Sequence, residues 1–149
     1  STTTNIAGAE SIPTARAFKP YLEDSVFDIL QFDIATSGFT EGRRICDLAY
    51  IYNKPVAIHS WGSAISIMAG IHFALTIPNS AFTEYCLMDH PINKYLFENE
   101  KIIITDGYID APKSHGLGVK FDENLQSRFP YKEKINTMIL TQNNDIKLV

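Results

Sequence analysis

Short runs of β-branched and aromatic residues alternate with longer stretches of helical period over the first 89 residues. Residues 5–9 read as a weak strand, 27–34 (FDILQFDI) as a buried strand, 56–60 as a third and 81–86 as a fourth. Between them lie a short helix over 12–23, which Pro20 should bend or end, and a helix over 40–52. The latter carries Ile45, Leu48, Ala49 and Tyr52 on one face, and Asn53-Lys54-Pro55 stops it. A third helix, 63–77, is nearly all apolar and ends at Pro78-Asn79. Strand and helix in this rhythm predict βαβ units, a parallel sheet and right-handed crossovers. The apolar character of the third helix predicts packing against both the sheet and further neighbours.

Past residue 89 the rhythm stops. Residues 91–97 predict a short helix, and 101–105 with 108–111 a hairpin around Asp106-Gly107. Gly116-Leu117-Gly118 is a permissive backbone segment without the spacing of a phosphate loop. Residues 122–129 predict a helix started at Asp122, and the tail from 131 to 149 is mixed.

Composition narrows the function classes. The chain has 149 residues, 45% of them apolar, and a net charge of −4 from 13 Lys+Arg and 17 Asp+Glu. That is enough for one domain with a core. The only basic pair, Arg43-Arg44, reads as a solvated helix face, so no nucleic-acid partner is expected. The apolar stretch 64–77 is short and broken by Ser66, Gly70, His72 and Thr76, so no membrane partner is expected either. The opening Ser-Thr-Thr-Thr-Asn lacks the regions of a signal peptide. Cys46 and Cys86 make neither a disulfide framework nor a metal cluster. Reduced thiols in the cytoplasm are the expectation.

Four polar residues keep the same beat. Glu10, Asp33, His59 and Glu84 each fall at or near a strand end, at separations of 23, 26 and 25 residues, one βα unit each time. Such phasing places all four on one rim, at the carboxyl ends of adjacent strands, where parallel barrels and open α/β sheets hold ligands. Each has a structural alternative: Glu10 as a helix-start acid before Pro13, Asp33 as a loop cap, His59 as a core histidine, Glu84 as the partner of a surface lysine. The phased set of four favours the shared site.

The stretches that carry these residues resemble a known family. They are Ala7-Gly8-Ala9-Glu10-Ser11, Asp28-Ile29-Leu30-Gln31-Phe32-Asp33 with Ser37-Gly38, and Pro55-Val56-Ala57-Ile58-His59-Ser60-Trp61-Gly62. Phe82-Thr83-Glu84-Tyr85, Asp106-Gly107-Tyr108 and Gly116-Leu117-Gly118-Val119 follow in order. From residue 6 to about 128 the chain resembles the C-terminal part of the enolase superfamily, in its mandelate racemase subgroup. The resemblance implies an α/β fold, the C-terminal half of a modified TIM barrel, (β/α)₇β. Residues 1–89 would supply the last four βα units, 90–130 a segment packing on a capping domain, and 131–149 a tail.

The resemblance also implies roles. Glu10 would be one carboxylate ligand of Mg²⁺, Asp33 and His59 a catalytic dyad, and Glu84 an acid facing the substrate carboxylate; Ser60 and Trp61 would line the substrate pocket. The implied reaction is abstraction of a proton α to a carboxylate, with charge stabilised by a hard cation bound through oxygen. The implied substrate is a sugar acid, and the implied activity a dehydratase or cycloisomerase. A racemase or epimerase, or an inactive half-barrel serving as an assembly module, are the alternatives. An unrelated lyase or aldolase would want a Schiff-base lysine, and none of the four strand ends carries one.

The sequence also departs from the family pattern. The other metal ligands and the lysine pair of the family precede residue 1 in its order, and a complete barrel takes about 250 residues. Mg²⁺ is therefore expected only with ligands from that missing part, supplied by the parent chain, a companion or self-association; the parent would be a homo-oligomer. The second glycine usual after the sixth strand is Phe39 here. The chain alone is expected not to turn over.

Overall fold

The computed structural model describes residues 3–87, 91–96, 102–131, 138–140 and 146–148. Four parallel strands, β1 (Ala7–Gly8), β2 (Ile29–Asp33), β3 (Val56–His59) and β4 (Ser80–Thr83), pair in chain order. Helices α1 (Ala15–Glu23), α2 (Ile34–Ile51) and α3 (Ala64–Ala74) connect them. The predicted βαβ rhythm is therefore the observed one. Among the described residues the sheet stays open, with β1 and β4 at its edges.

Alternation along the strands sorts the side chains. In β2, Leu30 and Phe32 are buried while Ile29, Gln31 and Asp33 are half-buried on the other face. Leu30 and Phe32 join Phe18 and Leu22 of α1, Ile45 and Ala49 of α2, and Phe73 of α3 in the main core. Burial of each of the Leu, Ile and Phe side chains contributes about 1.5–3 kcal/mol. The face left open to the cleft carries the polar residues.

Local sequence sets where the helices begin. Thr14 caps α1, its hydroxyl accepting from the Ala17 N–H at 3.2 Å. Glu41 of α2 accepts from the Ala15 N–H at 2.9 Å; that bond, aided by Arg44, holds its carboxyl below the usual range. Pro20 does not end α1, which runs on to Glu23. Its ring removes one donor, but the buried Phe18 and Leu22 anchor both sides of it. Gly38, at φ 71°, divides α2 into a first turn and a long helix starting close to the predicted residue 40. Phe39, standing where the family pattern has glycine, packs edge-on against Phe73 at 5.8 Å. Arg43 pairs with Asp47 and Arg44 with Glu41, all by i+3 or i+4 contacts, so the basic pair is a solvated helix face.

Helix α3 is apolar all round because it is covered on several sides. Ala69 and Phe73 face the main core, while Ile67, Met68 and Ile71 meet Tyr85, Ile102, Ile109 and Val119. At its start, Ala64 packs on Leu96 of α4 (Asn93–Leu96) and Leu125 of α5 (Leu125–Arg128). The segment after residue 90 thus folds back over α3. The hairpin β5 (Ile104–Thr105) and β6 (Tyr108–Ile109) turns at Asp106 and Gly107, both at positive φ as this turn requires. In the tail, which the sequence left unassigned, β7 (Met138–Leu140) pairs antiparallel with β8 (Ile146–Leu148). The expected boundary at residue 89, Phe97, Lys101 and most of the tail lie outside the described residues.

Two tests probe this packing. A Cβ at Gly42 would stand 2.9 Å from Phe32 and 3.2 Å from both Ile34 and Phe73. Overpacking of about 1–3 kcal/mol exceeds the helix-propensity gain of at most about 1 kcal/mol, so Gly42→Ala lowers the denaturant midpoint; a rise would show that the rings yield. Burial pushes the Cys46 thiol up to about 12. The folded form then holds a proton that the unfolded chain releases first, so stability declines as pH rises from about 9 towards 12. Cys46→Ala removes that component of the alkaline loss in urea titrations across this range.

Candidate active site

Parallel pairing in register brings the predicted residues together. Asp33 and His59 are Cα partners across β2 and β3, so their side chains leave the same face. His59 Nδ1 lies 2.8 Å from Asp33 Oδ2. A carboxylate only accepts, so this contact places the proton on Nδ1. The other oxygen, Oδ1, accepts from the N–H groups of Ala35 at 2.5 Å and Thr36 at 3.2 Å, capping α2. The same side chain thus caps α2 with one oxygen and holds His59 with the other.

Glu10 and Glu84 close the arrangement around the outer ring nitrogen. His59 Nε2 is 3.1 Å from Glu10 Oε2 and 3.8 Å from Glu84 Oε2. Glu10 follows β1 through Ala9, whose φ of 84° costs about 1–2 kcal/mol in a non-glycine residue. The turn is held by the Ile12 N–H donating to the Ala9 carbonyl at 3.1 Å. Glu84 lies just past β4 but stays in line, its N–H donating to the Ile58 carbonyl at 3.0 Å. The Ser60 N–H donates to its Oε2 at 3.3 Å, and the Gln31 amide donates to its Oε1.

These side chains line one open cleft of about 680 Å³, walled by Glu10, Gln31, His59, Ser60, Trp61 and Glu84 with Tyr85, Cys86 and Leu87. Trp61 is 57% exposed and gives the cleft an aromatic wall, whereas Ser60 is 2% exposed. After them Gly62, at φ 118°, turns the chain into α3. Asn93 Oδ1 accepts from the Ala64 N–H at 2.8 Å and caps α3 from across the fold.

Of the six residues singled out from sequence, Glu10, His59, Ser60, Trp61 and Glu84 line this cleft, and Asp33 holds His59 from beside it. Gln31 was missed as a site residue. Its signal was present: a polar residue inside an apolar strand, two positions before Asp33 and so on the same face. Asn93 carried none, because its bond is made with a helix 29 residues earlier.

Oxygen accounting tests the fit of a divalent cation. Both oxygens of Asp33 are taken, by His59 and by the α2 cap, and both oxygens of Glu84 face donors. Glu10, with 58% of its side chain exposed, fits as one hard oxygen ligand. Among the described residues no three His, Cys, Asp or Glu side chains converge to hold a metal ion. This chain supplies one ligand and not a shell.

The double use of Asp33 separates two variants. Asp33→Asn keeps an oxygen for the cap but turns an NH₂ toward His59, shifting the ring proton to Nε2, with little loss of stability. Asp33→Ala loses cap and orienter together, at about 1 kcal/mol for the cap. Imidazole ¹⁵N shifts and denaturant midpoints read the two effects separately; equal destabilisation by both variants would contradict the assignment.

Known proteins share this arrangement of strands. Residues 1–125 match the family described as Enolase C-terminal domain-like. A D-xylonate dehydratase of Haloferax volcanii is 36% identical over 126 residues, covering 82% of this chain and 30% of that protein. A D-mannonate dehydratase of Rhizorhabdus wittichii is 28% identical over 134 residues, covering 88% and 33%. The crystal structure of the 3,6-anhydro-D-galactonate cycloisomerase from Zobellia galactanivorans superposes with a TM-score of 0.78 at 28% identity, over 88% of this chain and 37% of that one. The chain spans about a third of the length of these relatives. With a family match running through its first 125 residues, the chain belongs to the enolase C-terminal domain-like family.

Proposed function

We propose that the chain is the catalytic C-terminal part of an acid-sugar dehydratase or cycloisomerase of the mandelate racemase type, complete with a preceding segment that supplies the remaining barrel strands and cap. In this reading residues 1–89 are the last barrel units and 90–130 the segment that reaches the cap. The observation that carries it is the 2.8 Å Asp33–His59 pair set between Glu10 and Glu84 at the ends of four adjacent strands. The likeness to dehydratases and to a cycloisomerase supports the substrate class.

The residues suit the chemistry. His59, its Nδ1 proton held by Asp33, presents Nε2 to the cleft as the atom that takes or returns a proton. The Asp33 carboxylate fixes the ring and faces the charge it acquires. Glu84 lies beside His59 at the end of the next strand, where a hydrogen bond to the substrate carboxylate would strengthen as negative charge develops there. Trp61 and Ser60 border the bound acid. Glu10 would be one of several ligands of Mg²⁺, the others coming from the preceding segment. When bound, Mg²⁺ supplies positive charge beside the substrate carboxylate and makes its α-proton more acidic.

The full-length protein with Mg²⁺ is expected to exchange the α-proton of a sugar acid in deuterated water. His59→Asn lowers that exchange about 10²–10⁴-fold while thermal unfolding stays nearly where it is. Failure of the wild-type protein to exchange any sugar acid would sink the reading. It would leave a second one, an assembly module, for which the open edge of β4 speaks.

A further inference from the structure

Gln31 has no part in the proton transfer above, yet it reaches into the same cleft. On β2 it sits one pleat below Asp33, half-buried on the site face. Its amide Nε2 donates to Glu84 Oε1, joining residues 53 apart in the chain. These two residues are not on neighbouring strands: β3 runs between them. The residue of β3 in register with Gln31 is Ala57, fully buried and on the same face. Ala57 carries only a methyl group there, and Phe82 of β4 follows in the same row.

The crossing matters because Glu84 is otherwise loosely held. It stands beyond the end of an edge strand with 36% of its side chain exposed. Of its two oxygens, Oε2 takes the Ser60 N–H at 3.3 Å and lies 3.8 Å from His59 Nε2; Oε1 takes Gln31. One donor fixes a point of the carboxyl group, whereas two fix its plane. A neutral amide does this without bringing a cation that would compete with substrate for the carboxylate.

We infer that Gln31, passing over Ala57, is a positioning residue that sets the orientation of Glu84 toward His59. The inference rests on the proposed role of Glu84 for its kinetic consequence, and on geometry alone for its structural one.

The test uses the full-length protein and three variants. Gln31→Met keeps length and packing but removes the donor. Ala57→Val places bulk in the crossing path, and Ala57→Gly leaves the path open. With D-xylonate as the probe, Gln31→Met and Ala57→Val are expected to lower kcat about tenfold or more, with KM changed less than about threefold. Ala57→Gly is expected to stay near wild type. In crystals of Gln31→Met, the Glu84 carboxyl should leave the Ser60 N–H.

An unmoved Glu84 in that crystal structure overturns the inference, as does equal loss in both Ala57 variants or a rise in KM at constant kcat. If the wild-type protein acts on no sugar acid, the proposed function fails and the crystal structures still decide the role of Gln31.

Discussion

One carboxylate ties a helix to a histidine. Asp33 ends β2 with its Oδ1 on the first N–H groups of α2 and its Oδ2 on His59, so the start of the helix and the direction of the imidazole are fixed by the same side chain. The arrangement holds only while β2 and β3 keep register. A shift of one residue would turn Asp33 toward the core and bring Phe32 into the cleft. Leu30, Phe32 and Ile58, buried beneath the helices, make that shift costly.

The sheet therefore has two faces with different tasks. The helix side is a hydrophobic core running through α1, α2 and α3. The other side carries the cleft, where Glu10, Glu84 and Gln31 gather around the Asp33–His59 pair. Helix α3 transmits the order of one part to another, because its remaining sides are covered by the chain after residue 90 and its first N–H by Asn93.

Much of this was legible in the residues. The period of apolar positions gave four strands and three helices, since burial on one face imposes spacing of two or near 3.6. Repetition of Glu10, Asp33, His59 and Glu84 once per unit locates the rim from the sequence alone. Of the two effects expected of Pro20, ending the helix did not occur, because its cost is local while the burial of Phe18 and Leu22 that outweighs it comes from tertiary contacts. Gln31 went unassigned for a related reason: its partner lies two strands away, and no local pattern records what a small Ala57 lets past.

By itself, then, the sequence determined the order and kind of elements, the face each strand presents and the four residues of the rim. Those follow from side-chain periodicity and from chemistry that repeats with the βα unit. Only the tertiary structure decided which oxygen of Asp33 serves the helix and which the histidine, that Glu84 is held by Gln31 and the Ser60 N–H, and that α3 is capped by Asn93. Each of those bonds has a distance and a direction, and such quantities exist only once distant segments are packed against one another.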